Sequence, residues 1–133
     1  MRVRNSGRMC LAICFIALAW LSGAVAGEGI ESEIISRETL PGGKMEVITA
    51  FIRLHPGAEL PRHTHHGDEF LYVLKGGSFQ TPEGKTITFA DEDTAHFPRD
   101  EPHAGFTVIG DTSLEAVTVH IVDVGKPLRV TVE

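Results

Sequence analysis

The sequence predicts an all-β fold in a single domain, and three observations carry that prediction. Six segments are rich in β-branched and aromatic residues, many of them alternating in polarity. Clusters of Gly, Pro and Asp separate these segments and supply turn chemistry. No stretch holds a helical apolar stripe for three turns with caps at its ends. Short strands punctuated in this way imply a sandwich or barrel.

Taken in order, residues 1–26 read as a cleaved secretory signal. Arg2, Arg4 and Arg8 form a positive start, an apolar run follows from Met9 to Leu21, and Ala24, Val25 and Ala26 give a small-residue cleavage site. The expected destination is outside the cytoplasm, periplasmic or secreted, with an uncleaved membrane anchor as the alternative reading of the same apolar run. Both cysteines, Cys10 and Cys14, lie in this segment, so residues 27–133 contain no thiol for disulfides, catalysis or metal binding. Removing the three arginines takes the formal charge from −6 to −9. That acidity argues against nucleic acid and against anionic membrane surfaces as partners.

Residues 27 to about 43 form a looser approach arm with the capacity to add an edge strand. The predicted strands are 44–54 (KMEVITAFIRL), 69–75 (EFLYVLK), 85–90 (KTITFA), 105–110 (GFTVIG), 114–124 (LEAVTVHIVDV) and 127–133 (PLRVTVE). Pro41–Gly43, Pro56–Gly57, Pro82–Gly84 and Gly110–Asp111 are the turns between them.

The stretch HTHHGDE, residues 63–69, is dense in metal-binding side chains. On an extended chain His63 and His65 share a face about 7 Å apart, and Glu69 keeps their parity after a bend at Gly67 and Asp68. Leu71 and Val73 continue that parity, so the face should turn inward. Two imidazoles and a carboxylate in a β core would cost several kcal/mol without a partner. A cation removes the objection, because it keeps the carboxylate ionised and requires the imidazoles neutral, which burial also favours.

The spacing Gly57, five residues, His63, one residue, His65, three residues, Glu69, six residues, Gly76 resembles the first motif of the cupins at every defining position. A second motif at about 92–105 is similar to the family's in Pro98 and His103, with Asp100 and Glu92 standing where glycines are usual. A competing register starting at Gly84 falls one residue short of His96 and lacks the proline, so His103 is the preferred fourth residue. The resemblance, to a small single-domain cupin, implies a double-stranded β-helix or jelly-roll barrel with His63, His65, Glu69 and His103 as ligands of one divalent first-row metal. Iron, manganese, nickel or cobalt suits three nitrogens and one oxygen with positions left open, and zinc is admissible. The family's frequent homodimers make a homodimer the expected assembly.

The expected function is a metal-dependent enzyme acting on a small oxygen-rich molecule, with a dioxygenase-type oxidoreductase favoured. The alternative is a non-catalytic module binding a metal or small ligand. No GxSxG motif surrounds a serine and no glycine-rich phosphate loop runs from a strand into a helix, which removes serine hydrolases and nucleotide-binding folds. His96 is a weak candidate for a proton carrier or substitute ligand, a wall or surface role being its simpler reading. His66 reads as a rim residue, His55 and His120 as structural, and Tyr72 as packed between strands or at a subunit contact. Residues 90–93 (ADED) read as a solvated turn.

Overall fold

The computed structural model describes residues 28–133; the proposed signal segment lies outside the described residues. Eleven strands and no helix are found among them. None of the described segments is a helix long and apolar enough to cross a membrane. Strands β1 (Ile30–Thr39), β2 (Met45–Leu54), β3 (Glu59–Leu60), β4 (His63–Thr64), β5 (Gly67–Lys75), β6 (Gly77–Gln80), β7 (Thr86–Phe89), β8 (Thr94–Phe97), β9 (Phe106–Ile109), β10 (Leu114–Asp123) and β11 (Val130–Thr131) form antiparallel sheets. Their orders are β1-β2-β10-β5-β8, β3-β9-β6-β7 and the short pair β11-β4.

The two larger sheets share one core. Ile52 and Leu54 of β2, Val73 of β5 and Leu114 and Ala116 of β10 pack with Phe79 of β6 and Val108 of β9. Alternation explains which residues enter it: β2 and β10 bury every second side chain along ten residues, and that inward face also carries the polar residues Glu46, Thr118 and His120. This is the jelly-roll barrel that the sequence predicts.

The approach arm adds the edge strand it had the capacity to form, and two other features differ from expectation. That edge strand, β1, is ten residues long and paired with β2 along its length across a bulge at Ile34/Ser36. Its side chains are nearly all exposed, so periodicity carried no signal there. Strands β3, β4, β6 and β8 have two to four residues each, too short for an alternating pattern to stand out. The expected strand over 127–133 pairs only at Val130–Thr131.

The glycines of the first motif serve two different needs. Gly57 has φ of 82°, a turn conformation that side chains rarely adopt. Gly76 is extended, and a Cβ there would collide with the Phe89 carbonyl. Gly67, expected to form a bend, instead begins β5; a Cβ on it would stand 2.6 Å from Val122 Cα, so the neighbouring strand could not approach. In the second motif, Glu92 (φ 70°) and Asp100 (φ 60°) take up the left-handed conformation at the two places where glycine is usual. The turns therefore survive the loss of glycine, at a steric cost. The acidic turn is more than solvated: Asp91 accepts the Gly76 N–H at 2.7 Å and Asp93 accepts the Ala90 N–H at 2.7 Å.

Relief of that steric cost is measurable. Glu92→Gly should stabilise the protein by about 0.5–1 kcal/mol, the left-handed penalty less the extra chain entropy of glycine. Urea unfolding checks this, and a loss of stability would refute strain at Glu92.

Candidate metal centre

The site is built around β4 and the start of β5. His63, His65 and Glu69 are buried, while Thr64, His66 and Asp68 alternate to the other side. His103 arrives from a distant loop through the backbone: His63 and His103 exchange both main-chain hydrogen bonds, at 3.0 and 3.1 Å. That loop is pinned to the sheet from several directions. Asp100 N–H donates to the His65 carbonyl at 3.0 Å, Asp68 accepts the Arg99 N–H at 2.9 Å, and the Arg99 guanidinium forks onto Asp123 at 2.8 and 3.0 Å. On the other edge of β4, Val130 and Thr131 of β11 pair with Thr64 and His63.

The structure thus brings together His63, His65, Glu69 and His103, whose ligand-capable atoms all lie within 4.8 Å of one another. Each imidazole is oriented by a backbone carbonyl. His63 Nδ1–H donates to Pro61 O at 2.8 Å, His103 Nδ1–H to Glu101 O at 2.9 Å, and His65 Nδ1–H to Leu128 O. A carbonyl can only accept, so in each ring the outer nitrogen carries the proton and Nε2 is left to face the centre. This arrangement fixes the tautomer a metal ligand needs.

Two observations test whether these residues suit a cation. His65 Nε2 sits 2.8 Å from Glu69 Oε2, yet it is a buried nitrogen without a directed hydrogen bond. A nitrogen lone pair and a carboxylate oxygen at that distance repel unless a positive charge lies between them. His103 Nε2 meets the same oxygen at 3.0 Å. Burial opposes a charge on His103, but the hydrogen bond to Glu69, the bond to the Glu101 carbonyl and the Glu69 charge together raise its pKa, so a proton can hold the place of a cation. The donor set fits a divalent metal ion.

Electrostatics support the same reading. Burial alone would raise the Glu69 pKa, but the surrounding imidazoles, led by the His103 hydrogen bond, hold it well below the ordinary carboxylate range. Burial pushes His63 down to about 4, leaving it neutral at physiological pH. The cluster opens on a cavity of about 170 Å³, whose wall includes His63, Glu69 and His103 among mostly apolar side chains such as Leu54, Phe79 and Phe106.

Sequence reasoning missed two residues and overrated one. His120, read as structural, is buried beside His65 with ring centroids 4.7 Å apart; its Nε2 meets Thr118 Oγ1 at 3.0 Å and lies 3.9 Å from Glu69 Oε1. Its parity with Leu114, Ala116 and Val122 in β10 was a usable signal for an inward position. Arg129 also lines the cavity, and no pattern in the sequence marked it. His96 is not brought to the cluster. It stands exposed on the outer face, stacked on Phe70 at 4.5 Å, because its β8 register puts it opposite Phe70 while Phe97 faces Glu69.

The buried imidazoles make stability depend on pH. Burial depresses both His63 and His120 from 6.5 to about 4, so between those values the unfolded chain binds protons that the fold does not. Their contribution is full above about pH 6.5 and is lost as pH falls to about 4; His103, raised, acts in the opposite sense. In chelator-treated protein, stability should therefore fall across this window, and His120→Gln should flatten the slope in urea titrations from pH 7.5 to 4. An unchanged slope would show that His120 is not held neutral.

The family model described as a cupin domain matches residues 50–120, more than half of the chain. No curated protein sequence matches the chain. Among solved structures it is similar to the polyketide cyclase RemF from Streptomyces resistomycificus, at 21% identity over 81% of this chain and 74% of that one, with a TM-score of 0.59. KdgF from Halomonas sp. is 21% identical over 70% of this chain and 79% of its own, at a TM-score of 0.51. The DMSP lyase DddQ from Ruegeria pomeroyi DSS-3 is 19% identical over 64% of this chain, with a TM-score of 0.52; the chain spans only 42% of that protein's length. At these identities the structural likeness concerns the fold. The family match, on a jelly-roll that gathers both predicted motifs around one buried cluster, leads to a single conclusion: the chain belongs to the cupins.

Proposed function

We propose that this cupin is an exported, metal-dependent enzyme acting on a small oxygen-bearing molecule, with a dioxygenase-type oxidoreductase as its reaction class. The observation that carries this reading is the inward set of Nε2 atoms and the Glu69 carboxylate beside a cavity. Apart from that cluster, the polar side chains lining the cavity among the described residues are Thr118 and Arg129. Thr118 is engaged with His120, and a guanidinium does not give up its proton. The wall therefore offers no separate acid or base for an isomerase or eliminase, which favours chemistry that a bound ion supplies. Bound there, a divalent first-row ion (iron, manganese, nickel or cobalt, with zinc admissible) supplies Lewis acidity and, where redox-active, electrons to dioxygen. The chain's own part is to hold the three rings in one tautomer, keep Glu69 ionised and surround the substrate with an apolar wall. The names polyketide cyclase and DMSP lyase among the fold neighbours accord with a small-molecule substrate.

The same sparse wall also supports a second reading, a non-catalytic module that binds a metal or small ligand outside the cytoplasm. Export rests on the composition of residues 1–26. Protein purified from a secreting bacterium should begin at Gly27 by intact mass and carry about one metal ion per chain by elemental analysis. His63→Ala and Glu69→Ala should each reduce that content at least tenfold. Iron-, manganese- and nickel-loaded samples should consume oxygen with a diketone, an oxalate-like acid or a thiol. Ligand recovered unchanged without oxygen uptake would favour the binding module, and wild type without metal under any purification would sink the enzyme reading and leave the module only as a binder of a small ligand.

Assembly as a homodimer is also proposed, on the outer face of the larger sheet. Phe70, Tyr72 and Leu74 alternate outward from β5 and remain 42%, 44% and 46% exposed. Adjacent large apolar side chains in water favour association. Light scattering after gel filtration should give a dimer for wild type and a monomer for Phe70→Glu/Tyr72→Glu; a wild-type monomer would refute it.

A further inference from the structure

One charged side chain of the cavity has no role in holding a metal. Arg129 lines the cavity together with His63, Glu69 and His103. Its Nε is buried with no hydrogen-bond partner, and no carboxylate of the described residues stands within ion-pairing distance of its guanidinium. Glu69, the nearest candidate, already directs Oε2 at His65 and His103. Burial lowers the Arg129 pKa and Glu69 offsets part of that, as expected for a guanidinium partly withdrawn from water, its Nε buried and its only anion at a distance. A buried charge left in this condition is costly unless something else completes it.

The backbone holds Arg129 at the cavity. Leu128 O receives the His65 Nδ1–H, Val130 pairs with Thr64, and Val132 N–H donates to Arg62 O at 3.0 Å. The residue is thus fixed on both sides by contacts to the segment that carries His63 and His65. A divalent ion at the cluster would add charge of the same sign as Arg129, while Glu69 is the cavity's one carboxylate. The completed site would call for an anion.

The kind of anion follows from the wall. Arginine's planar fork matches a carboxylate through two parallel N–H donors. A phosphate dianion would need further donors, and the remaining wall is apolar, with Leu54, Leu60, Phe79 and Phe106. A volume of about 170 Å³ holds a body of a few carbon atoms or one ring.

We propose that Arg129 anchors the carboxylate of a small organic monoacid whose apolar body fills this cavity. The proposal rests on the reading above, since that acid would be the substrate or ligand of the metal site. It is tested by calorimetry on the full mature chain, both chelator-treated and manganese-loaded. The probes are acetate, isobutyrate and benzoate, against their neutral amides. At least one acid should bind tenfold or more tightly than its amide. Arg129→Gln should abolish that preference and Arg129→Lys should retain part of it, with metal content and melting temperature close to wild type. If no acid binds, if acid and amide bind alike, or if Arg129→Gln binds the acid as wild type does, the proposal is overturned. Loss of metal from Arg129→Gln would also overturn it, because Arg129 would then be supporting the cluster. Acid binding by a wild-type protein that takes up no metal would leave the anchor standing and refute the metal reading alone.

Discussion

The structure turns on one buried carboxylate, Glu69, faced by imidazoles that cannot point anywhere else. Burial would ordinarily push a carboxylate toward neutrality, yet the surrounding imidazoles, His103 first among them, keep Glu69 ionised. Those rings are aimed by carbonyls of Pro61, Leu128 and Glu101, which come from three separate parts of the chain. Displacing any one of these segments frees a ring to rotate and leaves a buried polar atom unpaired, so the surrounding backbone is bound to the geometry of the centre.

That dependence explains why so much of the irregular backbone is anchored. The loop carrying His103 is bridged to His63, tied to His65 by Asp100, and clamped through Arg99 to Asp68 and Asp123. The Arg99–Asp123 pair is exposed and adds little stability by itself. Its value is positional, since it fixes a loop in which Asp100 occupies a glycine place. The C-terminal strand plays the matching part on the other edge of β4, and places the Leu128 carbonyl and Arg129 side by side.

Much of the first motif was legible because strand parity is a local property. His63, His65 and Glu69 share a face for the same reason that Leu71 and Val73 do, and the long strands β2, β5 and β10 showed enough alternation to be read. The two-residue strands β3 and β4 were illegible and β1 was visible only as an arm with the capacity to pair, since two residues make no period and an exposed strand has no apolar side. His120 lay on a readable inward parity, but parity cannot say which inward residues meet.

The sequence by itself determined the fold class, the inward face of HTHHGDE and, through the cupin resemblance, the choice of His103. These follow from alternation, spacing and composition, which are written along the chain. Only the tertiary structure decided which carbonyl receives each imidazole proton, that His96 faces outward, and that His120 and Arg129 join the centre. The Pro61 and Glu101 carbonyls act within two residues of their own rings. The His65–Leu128 bond, the outward His96 and the meeting of His120 and Arg129 with the cluster depend instead on how segments far apart in sequence are paired. A shift of one residue in a strand would send its side chains to the opposite face.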